Sequence, residues 1–173
     1  MGFNGISPVL TALHDVSAVT LDSAVALPLG SRRTLNGNDY LYCYVGGNAQ
    51  ISWGQMGFLS PASMLSGYTV TVSNAASQAG VERCVGLAAH VTLNTGSYGW
   101  LMTRGVGYIA LDASEVSMNS GNIITPGIDG GFVVHPSYAS AVTADVVGLG
   151  VALNSIVTTV GTGRAWFKSP LFS

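Results

Sequence analysis

The stretch TGSYGWLMTRGVGYIAL (95–111) interleaves Gly96, Gly99, Gly105 and Gly107 with Tyr98, Trp100, Leu101, Met102, Val106, Tyr108, Ile109 and Leu111. Glycine inside a strand packs nothing and loses more backbone entropy than any other residue, so this spacing needs a reason. Two readings answer it: a strand pair bent around a small barrel, or a flexible loop that carries a site. By the period of two, Tyr98, Trp100 and Met102 share one face and Leu101 and Thr103 the other. On the first reading Gly96 and Gly99 are turn and close-approach positions of a hairpin. Gly105 and Gly107 then mark a bend where the chain enters the next strand.

Outward from this stretch the grammar stays that of strands. Val, Thr, Tyr and Ile recur in short runs bounded by Gly, Asn, Ser and Pro. The runs predict strands at 39–46, 49–52, 68–73, 84–93, 98–104, 107–111, 131–135, 144–153 and 163–169, with turns at NGN (36–38), NTG (94–96) and DGG (129–131). Many short strands at near-regular spacing predict an all-β fold, a small barrel or sandwich of antiparallel strands. One helical turn is predicted at SPASMLS (60–66), where Ser60 is placed to cap and Pro61 opens the turn. Residues 1–28 lack a clean period of 2 or 3.6 and read as an extended N-terminal arm that packs on a neighbour, with packing on the chain's own domain as the competitor. The barrel-like domain is expected over 29–173.

VGLAAHVTLNTGSYGW (85–100) and VGLGVALNSIVTTVGTGRAW (147–166) echo one another. Each has Val-Gly-Leu, an apolar run, then Thr-Gly shortly before a tryptophan. Read physically, each is a hairpin whose return strand carries a buried tryptophan, Trp100 or Trp166, with Gly96 and Gly163 in the turns.

Composition narrows the function. Of 173 residues 48% are hydrophobic and only 8% charged, against roughly 25% charged in an average soluble domain. A surface this poor in charge is either neutral and polar, built from Ser, Thr, Asn and Gly, or covered by partners, and assembly is the expectation. The net charge of −2, with Arg32 and Arg33 the only adjacent cations, argues against nucleic-acid binding. No run reaches the length of a membrane-spanning helix. The first residues, which lack a basic segment and carry Asp15, do not read as a signal peptide.

The reactive inventory is thin. Cys43 and Cys84 lie in apolar, strand-like surroundings, where free thiols act as small hydrophobes. His14, His90 and His135 are far apart and form no metal-ligand pattern. No Gly-x-Ser-x-Gly elbow, P-loop or dinucleotide fingerprint occurs, and Lys168 is the only lysine. The eight acids, Asp15, Asp22, Asp39, Glu82, Asp112, Glu115, Asp129 and Asp145, are scattered, mostly beside turn signals. No catalytic, metal or cofactor site is therefore expected, and the glycine-rich stretch reads as architecture. Trp53, Trp100, Trp166 and the tyrosines could form a sugar platform, but two of these tryptophans sit on the echoed hairpins, which favours core or interface packing.

The segment GVERCVGLAAHVTLNTGSYGWLMTRGVGYIAL (80–111) resembles the central part of the capsid decoration, or cement, proteins of tailed phages. The likeness is carried by Val85-Gly86, then Gly96-Ser97-Tyr98-Gly99-Trp100, then Leu101 to Arg104, Gly105 and the run Val106 to Leu111. LGSRRTLNGNDYLYCYVGGNAQISWGQ (29–55) is similar to that family's opening hairpin and VGLGVALNSIVTTVGTGRAWFKSPLF (147–172) to its closing one; the arm before Leu29 is outside the pattern. The resemblance implies a β-barrel-like protein, commonly a homotrimer, bound through the major capsid protein to the outer surface of an icosahedral head. There it would reinforce the shell against packaged DNA, with no catalytic residues, cofactor, membrane or nucleic-acid contact. The competing expectations are another virion component (tail, baseplate or head fibre), a carbohydrate-binding host-attachment domain and a small hydrolase.

Overall fold

The computed structural model describes residues 27–46, 49–60, 68–72, 83–113, 115, 117–127, 131–134, 149–156 and 161–172. The expected arm (apart from Leu27 and Pro28), the helical turn at 61–66, His14, His135, Asp15, Asp22, Glu82, Asp129, Asp145 and the first part of the 144–153 run lie outside them.

The strands are β1 (Arg32–Leu35), β2 (Asn38–Val45), β3 (Met56–Leu59), β4 (Thr69–Thr71), β5 (Cys84–Leu87), β6 (Tyr98–Ala110), β7 (Ile123–Pro126), β8 (Phe132–Val134), β9 (Gly150–Ala152) and β10 (Thr162–Lys168). A 3-10 turn, Pro170–Phe172, follows, and no α-helix occurs among the described residues. In sheet order they run β1-β2-β4-β3-β5-β6-β10-β9-β7-β8, and β2 also pairs with β6. That extra pairing closes β2, β4, β3, β5 and β6 into a five-stranded barrel. β1 hangs outside on β2, while β10, β9, β7 and β8 extend from β6. The fold is all-β, as expected, with one parallel pair, β2–β4, among antiparallel ones.

Strand β6 departs from the expected strand pair. There is no strand break at Gly105 and Gly107: one 13-residue strand spans both predicted runs. Its first half pairs with β2 inside the barrel and its second half with β10 outside it. The junction is a bulge. Asp39 pairs with Arg104 and Tyr40 with Met102, so Thr103 has no opposite residue. Gly105 next to it adopts φ +134, a conformation side chains rarely take, and a Cβ there would run into the Asn38 side chain. Asn38 Oδ1 in turn accepts the Val106 N–H at 3.0 Å. Glycine therefore lets one strand leave a barrel and join an outer sheet without ending.

The alternation of β2 and β6 feeds two apolar clusters. One holds Leu41, Cys43 and Val45 of β2, Val70 of β4, Val85 of β5 and Leu101 of β6, with Leu59 of β3 against it. A cluster that takes a side chain from every barrel strand is the barrel lumen. The other holds Tyr40 and Tyr42 of β2, Met56, Phe58, Trp100 and Met102, and continues to Ile124, Phe132, Ala165 and Phe167 of the outer strands. Both faces of β2 are thus buried, and each large side chain so placed contributes about 1.5–3 kcal/mol. The predicted split of β6, with Trp100 and Met102 on one face and Leu101 on the other, is what separates the clusters. Leu27, of the expected arm, and Leu29, of the expected domain, pack against the second one.

Turn chemistry matches the residues. Asn36 and Gly37 take φ 51 and 78, the pair of positive values that a two-residue hairpin between β1 and β2 requires. Other expectations were too generous. The run 49–52 contributes only an isolated bridge, Ile51 to Leu93. The predicted strand 84–93 stops at Leu87, where the Ala89 N–H turns back to the Leu87 carbonyl at 2.9 Å. β1, β3 and β7 were not predicted; each is only four residues long, too short for a period to register.

Candidate interaction face

Of the residues singled out in the sequence, most are architectural. Gly96 turns the chain at φ +79, and its N–H reaches the Val45 carbonyl at 2.8 Å, tying the turn to the end of β2. A Cβ on Gly99 would strike the Leu93 side chain, the expected close approach. Tyr98 is half-buried between Tyr44 and Tyr42, at ring distances of 5.0 and 6.2 Å. Trp100 is only 8% exposed and lies 5.2 Å from the Tyr42 ring.

Trp166 departs from expectation. It was expected to be buried like Trp100, yet it is 39% exposed. Gly163 also does not sit in a turn: it lies inside β10, where a Cβ would meet Ile156. The echoed segments are both antiparallel pairs, β5–β6 and β9–β10, but their tryptophans lie in opposite environments. The cause is the alternation of β10, in which Gly163, Ala165 and Phe167 point inward and Thr162, Arg164 and Trp166 outward.

That outward row belongs to a continuous face. Across β10–β6, Lys168 is opposite Arg104, Trp166 opposite Val106, Arg164 opposite Tyr108 and Thr162 opposite Ala110. Opposed residues share a side of the sheet. On the other flank Val151 of β9 is opposite Trp166, and the Leu153 N–H bonds the Arg164 carbonyl at 2.8 Å. Trp53 completes the face, its ring 5.2 Å from Tyr108. The turn that carries Trp53 is clipped to the sheet twice: the Ala110 N–H donates to the Gly54 carbonyl and the Gly54 N–H to the Ala88 carbonyl, both at 2.9 Å. The Trp53 indole N–H donates to the Ala89 carbonyl at 3.1 Å, leaving its apolar ring outward. Trp53, Tyr108, Val151, Leu153 and Trp166 are five of the six large apolar side chains exposed on the described surface. Between Tyr108, Leu153 and Arg164 lies a shallow groove of about 480 Å³.

Cations edge this face. Beyond Arg104 and Lys168, the next strands bring Arg32 and Arg33 to a second depression, of about 250 Å³, lined also by Thr34, Asp39, Tyr40 and Thr103. Tryptophan, tyrosine and arginine are the side chains enriched among those that carry most binding energy at protein interfaces. The face suits contact with a macromolecule more than chemistry on a small one.

The remaining reactive groups are structurally engaged. Tyr40 and His90 meet through a 2.7 Å contact from the phenol oxygen to Nε2, and burial pushes the Tyr40 phenol above its usual range. Cys43 and Cys84 are free and buried, and desolvation raises both thiols well above the ordinary value. Among the described residues no three His, Cys, Asp or Glu side chains gather as metal ligands would.

No family model matches this chain, and no curated protein does. Among solved structures it is similar to the N base of head fiber gp8.5 in bacteriophage phi29, with a TM-score of 0.44 and 10% identity, over 75% of this chain and 93% of that one.

Proposed function

We propose that this protein is a structural component of a tailed-phage virion, and specifically a decoration protein that binds the outer surface of the head as a homotrimer and braces it against packaged DNA. The observation that carries the reading is the exposed strip of Trp53, Tyr108, Val151, Leu153 and Trp166, edged by Arg104, Arg164 and Lys168, in a chain with only 8% charged residues. A protein that spends most of its life docked needs such a face, and needs little charge elsewhere. The likeness of 80–111 to decoration proteins points the same way. The reading assigns no catalytic residue, cofactor or nucleic-acid contact, and makes the major capsid protein the partner.

The test mixes purified protein with undecorated heads and images them, with light scattering on the free protein. Outer-surface density in many symmetric copies, and heads that keep their DNA to a higher temperature, are expected. Attachment at the tail or in a few copies would make it a fibre, tail or baseplate component instead. No attachment at all would overturn the virion reading.

A second reading draws on the same face. Exposed Trp53 beside Tyr108 is also how carbohydrate-binding modules present a stacking platform. Saturable binding to a glycan array, abolished by Trp53→Ala, would favour it.

A further inference from the structure

The pairing of β6 with β10 sets their outward side chains in rows. Lys168 lies opposite Arg104, Trp166 opposite Val106, and Arg164 opposite Tyr108. Every second residue of an antiparallel strand advances about 6.8 Å, so the cations of the first and third rows stand roughly 13–14 Å apart. Trp166, 39% exposed, fills the row between them, with Val151 of β9 on its far side. At the Arg164 end lies the groove of about 480 Å³ that Val106, Tyr108 and Leu153 also line. The order along the face is therefore cation, apolar, cation. Among the described residues Arg104, Arg164 and Lys168 form no ion pair. The three described acids are engaged elsewhere: the Asp39 carboxylate, opposite Arg104 on β2, accepts the Thr34 hydroxyl at 2.7 Å, Glu115 accepts the Val134 N–H at 3.0 Å, and Asp112 is only 2% exposed. Like charges placed directly across an antiparallel pair, as Arg104 and Lys168 are, destabilise it unless an anion lies nearby.

From this order we propose that the face binds an extended acidic segment of a different protein, with carboxylates at positions i and i+4 and an apolar side chain at i+2. An extended segment laid along β6 and β10 repeats at the same spacing as the rows beneath it. Its first carboxylate meets Arg104 and Lys168, its apolar side chain covers Trp166 and Val106, and its second carboxylate meets Arg164. Guanidiniums take carboxylates through two parallel N–H bonds, and the apolar side chain between them keeps water from the middle row. A second copy of this chain does not supply the pattern, because no two of its eight acids stand four residues apart. A nucleic acid does not match it either, since a phosphodiester chain is charged at every unit and needs a continuous cationic track. Charges spaced in this way fix register and speed association more than they add affinity. The inference rests on the reading of this strip as a docking face and goes beyond it in naming the partner's sequence pattern.

The test is an NMR titration of the isotopically labelled full chain with the peptide Ser-Glu-Ser-Leu-Ser-Glu-Ser at low salt. Alongside run a peptide of the same composition with its two acids adjacent, a short single-stranded oligonucleotide and an oligogalacturonate. Expected are saturable shifts centred on 104–108 and 164–168 that weaken with salt, and at least fivefold weaker binding of the permuted peptide. Arg104→Gln and, separately, Arg164→Gln should each weaken binding at least fivefold, with thermal unfolding run to show that both variants remain folded. Arg83→Gln, outside this face, should leave it unchanged. Absence of saturable shifts, shifts centred elsewhere, equal binding of the permuted peptide, or tighter binding of the oligonucleotide or the oligogalacturonate would each overturn the proposal. Because no phage head enters the assay, failure here and failure of head binding are read separately.

Discussion

The side chain of Asn38 occupies the space that a Cβ on Gly105 would need, and its Oδ1 holds the N–H of the next residue, Val106, at 3.0 Å. Two residues 67 positions apart thereby shape the bulge at which β6 leaves the barrel.

Gly105→Ala is expected to lower stability by about 2–3 kcal/mol, from the unfavourable φ and the collision together. Asn38→Ala, which removes the bond to Val106, should cost about 1–2 kcal/mol. The double variant should cost less than the sum, because truncating Asn38 removes the two closest of its atoms from the collision and leaves only its Cβ. Urea unfolding of the four proteins measures this; strict additivity would show that the contact is not what demands glycine.

The two strand-borne tryptophans should behave oppositely. Trp100→Ala empties a buried site beside Tyr42 and should cost about 3–5 kcal/mol. Trp166→Ala removes a side chain that is 39% exposed and should change stability by less than about 1 kcal/mol. The same Trp166 variant should weaken self-association or head binding, measured by light scattering and co-sedimentation. A large stability loss in Trp166→Ala with unchanged association would place that residue in the core instead.

Both thiols are buried and raised by desolvation. In the folded protein they hold protons that an unfolded chain releases above the ordinary thiol value of about 8.5. Native stability should therefore be insensitive to these groups below that pH and fall as pH rises beyond it, since the unfolded state then binds fewer protons. A thiol-specific reagent at pH 8 should react with Cys43 and Cys84 no faster than the protein unfolds. Rapid labelling of the native protein would contradict their burial.

Much of this fold was legible in short-range pattern. The Asn36-Gly37 turn, the strand β2, the two faces of 98–102, the close approach at Gly99 and the burial of both cysteines follow from period, turn chemistry and apolar context, which act over a few residues. The exposure of Trp166 was legible too. TGRAWFK (162–168) alternates Gly163, Ala165 and Phe167 with Thr162, Arg164, Trp166 and Lys168, and a tryptophan in phase with two cations faces water. The echo with 85–100 obscured that signal by suggesting that Trp166 repeats Trp100.

What tertiary structure alone decided depends on pairing between distant segments. Nothing local to 98–110 says that its two halves have different partners, because the bulge exists only once Asn38 meets Gly105. The barrel closes through β2–β6, a contact between segments some 60 residues apart, and β4 adds to β2 in parallel. The exposed face joins Trp53, Tyr108, Val151 and Trp166 from four separate stretches, and the smaller depression joins Arg32 and Arg33 to Arg104. Period and propensity determine which side of its own strand a residue occupies. Which strands lie side by side, and so which side chains become one surface, is decided by the burial that all ten strands achieve together.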